Sequence, residues 1–155
     1  MKKQLSKSDV EKINQEIFEQ FNIQDFFGKK DQLMLVESDR KFVLKDNVPS
    51  FFYQDGRIIP TLKLLLQRLF LKQVVVDMGA VKFVSNGADV MRPGIVALDK
   101  SIKKDEIVVV VDQNHKKPLC VAKALLSGEE ISMLKQGKVL KNLHWVGDEI
   151  WSAVL

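Results

Sequence analysis

The stretch Asp77–Gly94, DMGAVKFVSNGADVMRPG, is the most informative part of this 155-residue chain. It places three glycines and a Pro-Gly pair among short apolar runs, with no histidine, cysteine, serine-centred nucleophile elbow or Gly-Lys-Ser/Thr phosphate loop. Gly87 follows a short segment predicted to be helical, and glycine readily takes the left-handed conformation that ends a helix. The missing Cβ atoms also let another molecule approach the main chain. The stretch therefore has an accessible main chain and no recognisable catalytic group.

Composition sets broad limits on the class of protein. The chain carries 24 Lys and Arg against 20 Asp and Glu, a net charge of +4 that favours an anionic partner only slightly. A single cysteine, Cys120, excludes an internal disulfide. The N-terminal segment lacks the apolar core of a signal peptide, and the longest apolar run, Leu62–Leu71, is short and interrupted by charges. We expect a soluble, cytoplasmic protein that makes no use of a membrane.

The N-terminal half has the pattern of an α+β domain. Ser8–Glu11 has the spacing of a capping box, and it opens a helix whose apolar stripe is Val10, Ile13, Ile17 and Phe21. The runs LMLVE, KFVLK and PSFFYQ then predict strands, and Asp55-Gly56 predicts a hairpin before RIIP. Pro60 suits the first turn of a second helix, TLKLLLQRLF.

The C-terminal half has the pattern of a small barrel or sandwich. Turn signals separate short strands predicted at Val74–Val76, Asp89–Met91, Ile107–Val111, Leu119–Ala124 and Leu143–Trp151. Two short helices interrupt them, at Gly79–Asn86 and Ser127–Gln136. We therefore predict two domains, residues 1–73 and residues 74–155.

The opening stretch and the strands after it resemble the PUA domain, the RNA-binding module named for pseudouridine synthases and archaeosine transglycosylases. The ordered pattern that carries the resemblance is Gly79-Ala80, Gly87-Ala88, Pro93-Gly94, Gly147-Asp148 and Trp151. FFYQDGRIIPTLKLLL, just ahead of it, is similar to the pre-PUA domain of the malignant T-cell-amplified sequence family, which includes ligatin-type factors and stand-alone archaeal proteins. The resemblance implies an α+β N-terminal domain followed by a mainly-β PUA-type pseudo-barrel with two short helices.

The resemblance also implies where RNA would bind. In PUA domains the ligand lies against the helix, the following loop and the next strand, and bases of single-stranded RNA are read on their edges and faces. Carried over by position, the predicted RNA-binding residues are Lys82, Ser85, Gly87, Ala88, Asp89, Val90, Met91, Arg92 and Pro93. Lys82 and Arg92 are expected to neutralise phosphates.

The function implied is non-catalytic RNA binding in translation or in tRNA or rRNA metabolism, with no cofactor. The expected partners are RNA such as a tRNA acceptor end, the small ribosomal subunit and a separate protein carrying a SUI domain. The residues show no paired carboxylates, no catalytic triad pattern and no metal-ligand spacing around His115 or His144.

Two other functions fit the same sequence. A protein–protein adaptor would expose an apolar patch around Phe26-Phe27 or Phe51-Phe52, although strand-core packing is the favoured interpretation of Phe51–Tyr53. An accessory subunit of an RNA-modifying enzyme is the other.

Several residues also have a structural alternative to a role in binding. For Gly79 and Gly94, turning the chain in a small barrel is as well supported as contact with RNA. Three further side chains, Val81, Phe83 and Val84, are expected to pack inward. The basic clusters Lys100/Lys103/Lys104 and Lys116/Lys117 are solvated or extend the RNA surface.

Overall fold

The chain divides into two units in the computed structural model, which describes residues 1–155. One unit comprises residues 1–64 together with Leu155, and the other comprises residues 65–154. The predicted fold class is confirmed: an α+β unit precedes a mainly-β unit that holds two short helices between its strands. The boundary predicted between residues 73 and 74 stays a prediction.

The N-terminal unit is one antiparallel sheet of five strands with a single long helix. Its elements are β1 Lys2–Gln4, α1 Lys7–Phe21, β2 Leu33–Glu37, β3 Lys41–Lys45, β4 Val48–Gln54 and β5 Arg57–Pro60. The strands pair in chain order, from β1 to β5. The predictions contained no strand β1, because Lys2–Gln4 is wholly exposed and lacks the alternation of a half-buried strand.

The helix α1 starts earlier than predicted. Its capping box is formed by Ser6 and Asp9, not by Ser8 and Glu11. The hydroxyl of Ser6 accepts the Asp9 backbone N–H, and the Asp9 carboxylate accepts the Ser6 backbone N–H, both at 3.2 Å. Aspartate therefore takes the role that glutamate usually has. The predicted stripe is confirmed at Ile13 and Ile17, which are buried.

The hairpin predicted at Asp55-Gly56 is confirmed, with φ of +51° and +76° at its two turn residues. Phe51 and Phe52 are fully buried, and the rings of Phe26 and Phe27 meet the Phe51 ring edge-on with centroids 5.2 and 5.8 Å away. Neither Phe51 nor Phe52 is therefore a stacking surface for bases.

The predicted helix start at Pro60 is wrong. Pro60 is the last residue of β5 and pairs with Phe51, while the helix α2 spans Leu62–Gln67. The Thr61 hydroxyl accepts the Leu64 backbone N–H at 3.1 Å and donates to the Pro49 carbonyl at 2.8 Å. The hydroxyl of Thr61 thus caps the helix. Proline could not do so, because its side chain has no hydrogen-bond acceptor.

The C-terminal unit is a six-stranded sheet with the order β7-β11-β10-β9-β6-β8. Its elements are β6 Gln73–Val76, α3 Met78–Val84, β7 Val90–Met91, a 3₁₀ turn at Arg92–Gly94, β8 Ile95–Leu98, β9 Ile107–Asp112, β10 Pro118–Ala124, α4 Gly128–Met133 and β11 Lys138–Trp145. Only β6 and β9 pair in parallel. Every residue of β9, IVVVVD, is buried, as expected for a strand in the middle of a sheet.

The last strand lies earlier than the predicted Leu143–Trp151. It ends at Trp145, because Asp148 closes a tight turn directly after it. The Asp148 carboxylate accepts the backbone N–H of Trp145 at 3.0 Å and of Trp151 at 2.8 Å, and the His144 Nδ1–H at 2.9 Å. His144 is 1% exposed and Asp148 8% exposed. Gly147-Asp148 and Trp151 therefore form a turn, not a strand.

The turn around Asp148 makes the stability of this unit depend on pH. Burial raises the pKa of Asp148, but the hydrogen bonds from His144 and Trp151 outweigh burial and hold the pKa below its usual 3.8. A carboxyl with a lowered folded pKa stabilises the fold above its unfolded value, and this contribution is lost as pH falls through the folded value.

Replacing Asp148 with Asn should lower the free energy of unfolding at pH 7 by about 2 kcal/mol, because a buried charge-assisted network is lost. The difference from wild type should shrink below pH 3.8. Urea unfolding followed by tryptophan fluorescence measures it, since both tryptophans, Trp145 and Trp151, lie in this unit. The exposed Asp39→Asn is the control. A difference that stays constant with pH would contradict the assignment.

Candidate nucleic-acid interface

A cleft of about 420 Å³ opens between α3, the loop that follows it, and β7. Its lining residues come from α3, this loop, β7, the 3₁₀ turn and the start of β11: Ala80, Phe83, Val84, Ala88, Asp89, Val90, Met91, Gly94 and Lys138. Apart from Lys138, the lining residues all lie within Asp77–Gly94, at the place where the resemblance puts RNA.

The walls of the cleft are mostly apolar. The Phe83 side chain is 58% exposed and that of Met91 49% exposed, whereas Val84 is 2% exposed. The prediction that Phe83 packs inward is therefore wrong. Because α3 has only seven residues, its inward side is filled by Val84 and partly by Val81, and Phe83 lies on another side. An exposed aromatic ring beside an apolar cleft is a surface on which an unpaired base can stack.

Two charged side chains line the cleft and face each other. The Lys138 Nζ lies 3.1 Å from Oδ2 of Asp89, and the Lys138 side chain is 54% exposed. Lys82 lies on α3 with its Nζ 5.1 Å from the centroid of the Phe83 ring. Lys138 is not among the residues predicted from the sequence, because it lies far along the chain. It reaches the cleft because β11 pairs with β7, which sets Lys138 opposite Met91.

The loop after α3 is held in place by Asn142 of β11. Its Nδ2 donates to the carbonyls of Val84, at 3.0 Å, and Ala88, at 3.1 Å. Its backbone N–H donates to Oδ1 of Asp89 at 2.8 Å. Asn142 is 8% exposed, so these bonds are shielded from water. They fix the end of α3 and the first residues of the loop against the sheet.

Asp89 stays ionised in this environment. Burial raises the pKa of its carboxyl, but the Asn142 N–H and the ammonium of Lys138 lower it more, so the net shift is downward. The side chain is about 30% exposed. At neutral pH it is therefore a hydrogen-bond acceptor only.

Both packing and backbone conformation require glycine at position 87. Its φ is +94°, and an added Cβ would lie 2.8 Å from the Trp145 ring. Gly94 lines the cleft, and a Cβ there would lie 3.0 Å from the Cβ of Ala80. A Cβ on Gly79 would meet only an Asp77 carboxylate oxygen at 3.4 Å. Gly87 and Gly94 thus have a structural requirement for glycine that Gly79 lacks.

Arg92 is committed to backbone carbonyls. Its Nε donates to the Ile131 carbonyl at 2.7 Å and its Nη1 to the Ile95 carbonyl at 3.1 Å.

Pro93 is exposed in the 3₁₀ turn, and Ser85 is half-buried at the end of α3. The structure brings together four of the nine predicted residues as cleft lining: Ala88, Asp89, Val90 and Met91. It places the other five around this group without making them part of the lining.

Other groups with chemical potential lie elsewhere. Cys120 is buried in β10, and burial raises the pKa of its thiol, which leaves it unreactive. The side chains of Lys100, Lys103 and Lys104 are exposed, as are those of Lys116 and Lys117 between β9 and β10. No helix has the length and apolar character needed to cross a bilayer.

Replacing Gly87 with Ala should destabilise the protein by about 1–3 kcal/mol more than replacing Gly147 with Ala. Both glycines have nearly the same φ, +94° and +91°, but only at Gly87 would the new Cβ meet another atom. The pair therefore separates the Trp145 clash from backbone strain. Urea unfolding measures the two losses, and equal losses would show that Trp145 imposes no constraint.

Two families match the chain. Residues 72–146 match the PUA domain, and residues 2–68 match the domain of unknown function DUF1947. An uncharacterised protein of Methanocaldococcus jannaschii is 50% identical over 96% of this chain and 93% of its own. The translation machinery-associated protein 20 of Schizosaccharomyces pombe is 33% identical over 86% of this chain and 78% of its own. Malignant T-cell-amplified sequence 1 of Danio rerio is 30% identical over 96% of this chain and 88% of its own.

Solved structures show the same fold. A hypothetical protein of Pyrococcus horikoshii has a TM-score of 0.85 at 33% identity, covering 98% of both chains. A PUA-domain protein of Aeropyrum pernix, solved as a tartrate complex, has a TM-score of 0.86 at 26% identity over 97% of this chain and 89% of its own. The predicted family is confirmed over both halves. The chain belongs to the family of PUA-domain proteins with an N-terminal DUF1947 domain that includes translation machinery-associated protein 20 and malignant T-cell-amplified sequence 1.

Proposed function

We propose that the cleft beside α3 binds an unpaired segment of a structured RNA, and that the protein acts in translation without catalysing a reaction. The observation that carries the proposal is the exposed ring of Phe83 in the lining of an apolar cleft, with Lys82 next to the ring and Lys138 in the lining. Bases stack on aromatic rings in this way while lysines neutralise the adjoining phosphates.

The finer parts of the proposal rest on the family. The names of the fungal relatives place them with the translation machinery. We extend that role to this chain as initiation, reinitiation or ribosome recycling in the cytoplasm, or tRNA or rRNA metabolism. The RNA would be a tRNA acceptor end or ribosomal RNA. The small ribosomal subunit and a SUI-domain protein are the proposed partners.

Among the nine predicted residues, we place Ala88, Asp89, Val90 and Met91 against the RNA, with Lys82 on the flank. Lys138 joins them as the second flank. The contacts predicted for Ser85, Gly87, Arg92 and Pro93 stay predictions. For Arg92 the two carbonyl bonds are a structural role that holds whether or not RNA is bound.

Of the apolar patch that the adaptor alternative needs, only Phe26 keeps part of its side chain at the surface, where it is half-buried. Phe27 is 3% exposed, and Phe51 and Phe52 are fully buried. A partner protein therefore cannot contact these rings without unfolding the unit. RNA binding remains the better-supported function.

The test is a titration of a labelled RNA hairpin with a short single-stranded 3′ tail, at several salt concentrations. Replacing both Lys82 and Lys138 with Gln should weaken binding and reduce the slope of log K against log salt by about 1.4, since each phosphate contact on a single strand contributes about 0.7. Fluorescence anisotropy measures the binding.

The matched control replaces Lys116 and Lys117 with Gln. It removes the same charge from the exposed turn between β9 and β10, and it should leave the slope unchanged. If the two double variants lose the same affinity and slope, binding is a general effect of charge and the cleft is not the site. If the control alone is impaired, the RNA surface lies at the β9–β10 turn.

A further inference from the structure

Asp89 is the single acidic residue that lines the cleft. A carboxylate repels phosphate, so an aspartate at this position works against binding of the RNA backbone unless it has another role. One of its oxygens, Oδ1, is occupied by the Asn142 N–H at 2.8 Å. The other, Oδ2, is 3.1 Å from the Nζ of Lys138, a side chain that is 54% exposed and joined to the backbone by a flexible stem.

This arrangement anchors Oδ1 to the sheet, while Oδ2 is paired with the exposed Lys138 ammonium. The Asn142 bond holds Oδ1 in place, because the donor is a backbone N–H of a paired strand. Lys138 can move from Oδ2 to an incoming phosphate, since both are anionic oxygens and the ammonium is mostly in solvent. Oδ2 of Asp89 is then available as an acceptor in the cleft that Phe83 and Met91 also line.

We propose that Asp89 selects the base that enters the cleft, by accepting a hydrogen bond from an exocyclic amino group and so disfavouring uracil. The inference rests on the proposed function and specifies its ligand: an unpaired adenine, cytosine or guanine stacked beside Phe83, with the neighbouring phosphate paired to Lys138.

The chemistry of the bases supports this selection. Adenine carries an amino group at N6, cytosine at N4 and guanine at N2, and each can donate to a carboxylate. Uracil has a single ring N–H flanked by two carbonyl oxygens, which would face the carboxylate with like partial charge. The Asn142 N–H, which stays in place when Lys138 moves to the phosphate, lowers the pKa of Asp89 and favours the ionised acceptor.

The test uses four RNA hairpins that differ only in a two-nucleotide single-stranded 3′ tail of A, C, G or U. Wild type should bind the C tail about tenfold more tightly than the U tail, a comparison in which ring size and stacking area are matched. Replacing Asp89 with Asn should reduce that ratio to about twofold or less, because an amide presents both a donor and an acceptor. Asn also keeps an oxygen for the Asn142 N–H.

Two further arms separate selection from folding and from charge. Lys138→Gln should weaken all four tails by the same factor and keep the C-to-U ratio. A purine riboside tail, which is adenosine without its amino group, should bind wild type about tenfold more weakly than the A tail, and this arm needs no variant.

The outcomes are distinguishable. Equal binding of the C and U tails by wild type, or an unchanged ratio in Asp89→Asn, overturns the selection while the proposed RNA binding stands. Binding of none of the four tails overturns the proposed function, and the selection falls with it.

Discussion

The cleft proposed to bind RNA depends on one residue, Asn142 of β11. Its amide bonds to the carbonyls of Val84 and Ala88 hold the end of α3 and its loop against the sheet, and its backbone N–H orients Asp89. The loop also makes backbone hydrogen bonds to α3, such as Ala88 N–H to the Phe83 carbonyl at 3.0 Å, but the Asn142 bonds are the ones that join it to the sheet. Since β11 also supplies Lys138, the same strand both supports the cleft and lines it.

The other contacts around the loop serve the same end. Trp145, at the far end of β11, packs so closely on Gly87 that no side chain fits there. The guanidinium of Arg92 ties the end of the cleft to the carbonyls of Ile131 and Ile95. If RNA binds here as proposed, the cleft is already ordered, and binding does not have to order it first. The glycines and Arg92 of Asp77–Gly94 therefore shape and brace the cleft, although this segment carries no catalytic group.

Much of this could be predicted from sequence because the signals are local. The hairpin at Asp55-Gly56, the buried stripe of α1 and the pairs Gly79-Ala80, Gly87-Ala88 and Pro93-Gly94 are each formed by residues close together in the chain. The missing elements depend on distant partners. Lys138 reaches the cleft only through the pairing of β11 with β7, and the end of β11 depends on how Asp148 folds back. Phe83 was misassigned because its apolar character suggests burial, whereas Val84 fills the inward side of a very short helix.

The central claim is that RNA occupies the cleft between α3, β7 and the start of β11. Amide chemical-shift mapping of the ¹⁵N-labelled protein during titration with a hairpin carrying a single-stranded tail tests it most directly. The account predicts that the largest shifts fall on residues 80–91 and 138–142, while the exposed turn at residues 114–117 stays unchanged. Shifts concentrated at that turn or in the N-terminal unit, with the α3 amides unmoved, would contradict it.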